Sequence, residues 1–232
     1  MVFRRMQPRW VAGLLGETQL LGRLDAAALQ ELAARSKRRS YRRGEVIFRQ
    51  EDPSGLLFML VTGLLKVAVR SVAGGQLILA VLDQPGAVVG EVGLVDGRPH
   101  EASCEALEDS EVLLLAREDL MPLLQSSAEV AQGLLLTMAA RVRQSVEHSS
   151  DLTFLSLPGR LAKALLSLSQ YQEEGSDRTP LRLTQTVLAE RVGGSRVSVN
   201  QTLRMFESRG WLRNDHGRIT LLDPHALEEF AR

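Results

Sequence analysis

The twelve residues from Gly193 to Arg204, GGSRVSVNQTLR, set two glycines before a run of hydroxyls, amides and arginines in which Val199 and Leu203 keep helical spacing. Two chemistries use a face of this kind. A helix N-terminus lined with hydroxyls can hold a phosphate. Arginine and amide side chains can instead read base edges, arginine pairing with guanine O6 and N7 and glutamine with adenine N6 and N7. A catalytic site would need a nucleophile, a base and an orienting group converging on that anion site. The chain carries no nucleophile elbow, Walker loop or dinucleotide fingerprint. His100, His148, His216 and His225 show no metal-ligand spacing. No catalytic and no metal-binding residue is assigned, and the protein is read as not an enzyme.

The flanking sequence must position that face. Thr184 is the expected N-cap of a helix QTVLAERV, with Val187, Leu188 and Val192 on its apolar side. Gly193-Gly194 makes a tight turn, and Ser195 caps the next helix. In that helix Val199, Leu203 and Phe206 fall on one side, while Arg196, Asn200, Gln201 and Arg204 project elsewhere. Helix, short glycine turn and polar-faced helix form a helix-turn-helix. GWLRNDHGRITLL then reads as a hairpin turning on Asn214 to Gly217, the wing of a winged helix-turn-helix.

The upstream sequence follows other periods. DAAALQELAARS, Asp25 to Ser36, is a short capped helix. From Tyr41 to Ala116, turn signals separate short runs such as LLFMLV, LLKVAVR and EVLLLA, the pattern of an antiparallel sandwich or barrel. Ala131, Leu135, Met138, Val142, Ser145, Ser149 and Leu152 then recur in alternating steps of four and three. That spacing fits a two-chain seam or an amphipathic helix packed on its own domain. Pro158-Gly159 is expected to break this helix as a hinge. RLAKALLSLSQYQ follows as a helix and LRL as a strand, with EEGSDRTP as the loop between them. The expected fold class is α+β, divided into 1–126, a sheet domain with an N-terminal helix, 127–157, a long helix and candidate dimerisation helix, and 158–232, the winged helix-turn-helix.

The 232 residues carry zero formal net charge and are 44% hydrophobic, enough for two modest cores. The charge is unevenly placed. Acids dominate from Asp83 to Asp119 and arginines from Leu181 to Arg218, so the C-terminal end is the candidate for a polyanion. One cysteine, Cys104, permits no intrachain disulfide and no cysteine metal site. No stretch approaches the roughly 20 apolar residues of a membrane span, and the N-terminal run is broken too early for a signal peptide. The expectation is a cytoplasmic protein with no membrane partner.

In this order of elements the chain resembles the cyclic-AMP receptor / fumarate-nitrate regulator (Crp/Fnr) family of bacterial transcription factors, from about Leu24 to Leu221. YRRGEVIFRQEDPSGLLFMLVTGLLKVAV resembles that family's entry into its β-roll, and GAVVGEVGLVDGRPHEAS its effector-pocket segment. LPGRLAKALLSL resembles its hinge and first DNA-binding-domain helix, and LAERVGGSRVSVNQTLRMFESRGWL its reader. The resemblance implies a homodimer on a palindromic double-stranded operator, with RNA polymerase as a further partner and Leu135, Met138, Val142 and Leu152 as the dimerisation seam. Arg196 matches a position that reaches guanine. Val197 and Gln201 replace the family's other two base readers. Valine packs on a thymine methyl and glutamine pairs with adenine, so a different operator is expected. Asn200 is a further base or phosphate contact. Thr184, Gln185, Ser195 and Ser198 are read as caps and phosphate contacts, and Arg213 and Arg218 as unspecific charge on the wing.

The pocket segment departs from the family. Gly90, Glu91 and Val92 match its Gly-Glu pair and the residue after it. Aligned on Pro99 and Ala102, however, His100 stands where an arginine grips the cyclic phosphate and Glu101 where a hydroxyl does. Ser145 falls where the family places a hydroxyl that reaches the purine, and Val146 replaces a second. A carboxylate repels a phosphate, which disfavours cyclic AMP. No cofactor is required. Three readings stay open: a vestigial pocket in a ligand-independent regulator, a pocket for another ligand, or a redox, oxygen or haem sensor. Cyclic di-GMP is the named candidate for the second, with Glu101 accepting from guanine N–H groups and the arginines of RSKRRSYRR meeting phosphates. The rival from another class is an effector-binding module that reads no DNA.

Overall fold

The computed structural model describes residues 8–72, 74–169, 181–215 and 218–231. These divide into two compact units, the described residues up to Val69 with Ala80–Gln144, and Arg70–Leu79 with those from Ser145 onward.

The first unit is built on two four-stranded sheets. In chain order the elements are α1 (Pro8–Gly16), α2 (Ala26–Arg35), β1 (Lys37–Tyr41), β2 (Val46–Phe48), β3 (Leu56–Thr62), β4 (Leu65–Arg70), β5 (Gln76–Leu82), which begins within the Arg70–Leu79 segment of the second unit, and β6 (Val88–Val89). There follow α3 (Glu91–Asp96), β7 (Ser103–Ala106), β8 (Ser110–Ala116), α4 (Arg117–Ser126) and α5 (Ala128–Phe154), the last running on into the second unit. One sheet has the order β1-β8-β3-β6 and the other β2-β7-β4-β5. The sequence of β3 explains its place at the centre. Phe58 and Leu60 point into the core between the sheets, with Tyr41, Phe48, Val67, Cys104 and Val112. Leu57, Met59 and Val61 point the other way, into a second core with Leu15 of α1, Leu32 of α2, Leu120 of α4 and Val130 of α5. A strand buried on both faces reads as an unbroken apolar run, and LLFMLV is one.

Asp25 caps α2 as expected, its Oδ1 accepting from the Ala28 N–H at 2.8 Å. α1 has no counterpart among the sequence expectations. Its Val11, Leu14 and Leu15 are buried; of the two glycines that break the apolar run in the sequence, Gly13 faces open space and Gly16 lies against Leu29 of α2, 3.3 Å from where its Cβ would stand. The chain between α1 and α2 meets α5 very closely. A Cβ on Gly133 would lie 2.6 Å from the Gln19 carbonyl oxygen and 2.7 Å from that of Leu20, so only glycine allows this approach.

The second unit continues with α6 (Leu157–Ser169), β9 (Leu181–Arg182), α7 (Gln185–Val192), α8 (Arg196–Ser208), β10 (Leu212–Asp215), β11 (Arg218–Leu221) and α9 (Pro224–Phe230). Its core takes Leu161 and Leu165 from α6, Leu188 from α7, Phe206 from α8, Leu212 and Ile219 from the hairpin and Leu227 from α9. Pro158-Gly159 does not make the break between α5 and α6. The break is at Leu155-Ser156, and both residues sit in the first turn of α6. A proline there removes an N–H that has no intrahelical acceptor in any case, and Ser156 Oγ accepts from the Gly159 N–H at 3.3 Å. The expected loop EEGSDRTP and the end of the preceding helix, from Gln170, lie outside the described residues, as do His216 and Gly217 of the wing turn.

Candidate nucleic-acid interface and effector pocket

α7 and α8 are set by their caps. Thr184 Oγ1 accepts from the Val187 N–H at 3.2 Å to start α7. Gly193 closes that helix in the left-handed region, φ 61°, where a side chain would be strained. Gly194 follows under Leu157 of α6, whose Cδ1 leaves no room for a Cβ. Ser195 Oγ accepts from the Ser198 N–H at 3.0 Å to start α8 and shares a second bond with the Ser198 hydroxyl at 2.9 Å. Ser195 and Ser198 are thus engaged with each other at the helix start, and a cap of this kind contributes about 1 kcal/mol.

With its start fixed, α8 divides cleanly. Val199, Thr202, Leu203 and Phe206 are buried, and the Thr202 hydroxyl donates to the Ser198 carbonyl at 2.9 Å. Arg196, Val197, Gln201 and Arg204 are exposed, and Asn200 is half-buried at their edge. Val197 is 67% exposed, an apolar side chain on a face otherwise made of hydrogen-bonding groups. Gln185, the first residue of α7, is half-buried and Thr184 exposed. β10 and β11 pair in the expected hairpin, Arg213 opposite Thr220 and Asp215 opposite Arg218, with β9 as a third strand beyond β11. Arg213 and Arg218 are both exposed. The Asn214 N–H donates to Glu207 Oε1 at 3.0 Å, which ties the hairpin to the end of α8. Phe206, Trp211 and Phe230 close the base of this unit with ring centroids 5.4 to 5.6 Å apart, and the Arg209 guanidinium lies over the Trp211 ring at 4.8 Å.

The pocket segment lies in the first unit. Gly90, φ 88°, turns the chain from β6 into α3 so closely that a Cβ would meet the Leu56 carbonyl oxygen at 2.9 Å and His100 Cε1 at 3.3 Å. Ser54 Oγ donates between the Gly93 and Arg98 carbonyls, 2.8 and 2.6 Å away, and Arg117 Nε donates to Leu94 O at 2.7 Å, so the later half of the short helix and the turn after it are held in place. Glu91 is buried and paired with Arg141 of α5 at 2.9 Å. Arg141 also donates to the Val88 carbonyl at 2.7 Å. His100 is 3% exposed and stacks on Phe48, centroids 3.9 Å apart. Burial holds its pKa below the usual histidine value against the opposing pull of Glu101, Asp52 and Glu91. It is a neutral ring sealed against an aromatic, a poor grip for an anion. Glu101 is exposed, Ala102 buried, and Val92 at the border of exposure. Of the basic run, Arg38 forms an ion pair with Glu111 and Arg39 lies over the Tyr41 ring at 4.7 Å.

On α5, Leu135 and Val142 are 68% and 62% exposed, Met138 is half-buried and Ser145 is exposed. Leu152 lies against the Gly193 turn, 3.1 Å from where a Cβ would stand. Val146, 64% exposed, adds an apolar residue to the open face that the alternating spacing passed over in favour of Ser145. Two more residues lie beside these groups and were not assigned to a site from the sequence. Arg204 follows Asn200 by one helical turn and was visible by spacing. Arg141 was not, since nothing in the sequence marks which arginine of a long polar helix will meet Glu91. Cys104 is buried between the sheets and its thiol is pushed up to about 12 by that burial, so it is an apolar filler rather than a reactive group. Among the described residues, no group of histidine, cysteine and carboxylate side chains is placed to hold a metal ion, and no helix is long and apolar enough to cross a membrane.

Comparison with known proteins matches both units. Residues 38–127 fit the family model for a cyclic nucleotide-binding domain and residues 159–230 that for a Crp-like helix-turn-helix domain. The cyclic AMP receptor protein of Thermus thermophilus is 33% identical over 196 residues, 84% of this chain and 88% of that one. The CRP-like cAMP-activated global transcriptional regulator of Mycobacterium tuberculosis is 28% identical over 222 residues, 94% of this chain and 99% of that one. Among solved structures, the c-di-GMP responsive global regulator CLP of Xanthomonas campestris superimposes with a TM-score of 0.74 at 25% identity, covering 85% of this chain and 99% of that one. These relatives are transcription regulators, not enzymes.

The buried state of His100 makes a pH prediction. Its folded pKa lies below the unfolded value near 6.5, so below neutrality the unfolded chain binds more protons and stability falls as pH drops through about 6.5. His148, also held low by burial and by the Arg191 guanidinium, adds to the same slope. In His100→Phe the loss of stability between about pH 7 and pH 5 should be shallower than in the wild type, as read by denaturant midpoints across that range.

Proposed function

We propose a homodimeric, sequence-specific DNA-binding regulator, on the premise that the chain belongs to the Crp/Fnr family of transcription regulators. The observation that carries the reading is the division of α8 into a buried apolar face and an exposed face of Arg196, Val197, Gln201 and Arg204. Such a helix enters the major groove with its N-terminal residues at the base edges, and a dimer presents two of them to half-sites about one helical turn apart, ~34 Å. Arg196 takes guanine O6 and N7, and Gln201 takes adenine N6 and N7. Val197 has no hydrogen-bonding group and covers a thymine methyl. Asn200 and Arg204 lie on the same side and reach bases or phosphates. Thr184, Gln185, Ser195 and Ser198 set register at the backbone, and Arg213 and Arg218 add charge. The seam is Leu135, Met138 and Val142, extended by Val146, with Leu152 nearer its own chain. The partners are a palindromic operator, a second copy and RNA polymerase, and the compartment is the cytoplasm.

For the β-roll, a ligand-free regulator is the better supported reading. The Glu91 carboxylate already has an internal partner in Arg141, and His100 is stacked and sealed. The domain type and the names of the relatives support a cyclic nucleotide as a possible effector, and exposed Glu101 suits the guanine N–H donors of cyclic di-GMP. Against that ligand, Arg38 and Arg39 are engaged within the sheet domain.

Fluorescence anisotropy on a bound operator tests the reader. Arg196→Ala should cost about 1–3 kcal/mol and relax preference at one guanine, whereas Arg213→Ala should weaken all sequences alike and lower the salt slope by about one. Uracil in place of the thymine under Val197 should weaken binding, and 5-methylcytosine should recover contact that cytosine lacks. Equal losses on operator and scrambled DNA for Arg196→Ala would remove it from base reading. Calorimetry separates the pocket readings: no heat with cyclic AMP or cyclic di-GMP supports the ligand-free regulator, and saturable binding of either that changes operator affinity contradicts it.

A further inference from the structure

α5 is held to the first unit by little apolar surface. Val130 and Gly133 are its buried residues, both in the first two turns. Leu134 packs on the same core, and beyond it the Thr137 hydroxyl only donates back to the Gly133 carbonyl of its own helix, at 3.0 Å. The next inward residue is Arg141. Its guanidinium reaches three acceptors, Glu91 Oε1 at 2.9 Å, Val88 O at 2.7 Å and Gln144 Oε1 at 3.4 Å. Two of those are on the sheet domain, so at this point of the helix one ion pair and one charge-assisted hydrogen bond add to the hold of Val130, Gly133, Leu134 and the Arg23–Gln132 bond on its angle about its own axis. Successive helical residues lie about 100° apart. With Arg141 turned inward, Val142 points away from the sheets, and Leu135, two turns earlier on the same stripe, points with it. Glu91 is almost wholly buried, its side chain 5% exposed, and a buried carboxylate is costly to leave without a partner.

We propose that Arg141 is a positioning residue for dimer assembly: by pairing with Glu91 from within the chain it holds the open apolar face of α5 outward with no effector bound. This rests on the homodimeric reading above. A buried pair that lacks one member strands a charge, whereas neutralising both members leaves none, and that asymmetry separates positioning from plain stability.

The test compares the full chain, Arg141→Gln and the double variant Glu91→Gln/Arg141→Gln by sedimentation equilibrium without nucleotide, each with a thermal unfolding curve. The wild type should dimerise unaided. Arg141→Gln should lower the melting temperature and raise the dimer dissociation constant on the order of tenfold, a coupling of ordinary size. The double variant should regain most of the melting temperature yet keep the raised constant, because a glutamine is too short to span from α5 to the Val88 carbonyl. Wild-type dimerisation in Arg141→Gln, or full recovery of dimer affinity in the double variant, overturns the proposal and leaves the homodimer standing. If Arg141→Gln does not fold, the double variant decides alone. A wild type that stays monomeric overturns the homodimeric reading itself.

Discussion

The structure turns on the two faces of α5. Over residues 128–144 one face is fixed to the helical side of the sheet domain, by Val130 in the core, by the close approach that Gly133 permits and by the Arg141–Glu91 pair. The opposite face leaves Leu135 and Val142 in solvent, side chains that a monomer gains nothing by exposing. Each fully buried aliphatic side chain is worth about 1.5–3 kcal/mol relative to leaving it exposed. The helix is therefore complete on one side and unfinished on the other, which is the condition for a symmetric, self-complementary interface.

The reader follows the same division of labour on a smaller scale. The residues that lock α8 into its unit are Val199, Leu203 and Phe206, all buried and none of which needs to touch a ligand. Arg196, Val197, Gln201 and Arg204 are free of that task, so they can vary without disturbing the fold. In the pocket the roles are not separated. Glu91 and His100, the positions expected to meet a ligand, are buried and already engaged, one by Arg141 and the other by Phe48. A ligand at such a site meets groups that already have partners within the chain, and it shifts the protein only by its preference for one state over another.

How much of this the sequence disclosed depends on whether the cause was local. The caps at Thr184 and Ser195, the glycine turn and the hairpin were legible because each is fixed by residues within four positions of it. The double-sided burial of β3 was legible as an unbroken apolar run. The break between α5 and α6 was misplaced by three residues because proline and glycine read as breakers wherever they stand, although a helix start tolerates both. α1 was missed since Gly13 and Gly16 interrupt its composition but not its buried stripe. α9 was missed since a single buried Leu227 and the Phe230 edge carry it. The Arg141–Glu91 pair was illegible for a different reason. It joins residues fifty positions apart, and only the folded geometry chooses Arg141 over its neighbour Arg143.

The central claim is that two copies of this chain read DNA together through α8. Selection of bound sequences from a random duplex pool by the full-length protein, without added nucleotide, tests it most directly. The expected result is enrichment of an inverted repeat whose half-sites are about one helical turn apart, each holding a guanine beside A·T pairs. Enrichment of a single unrepeated site, or no enriched sequence at all, would contradict it.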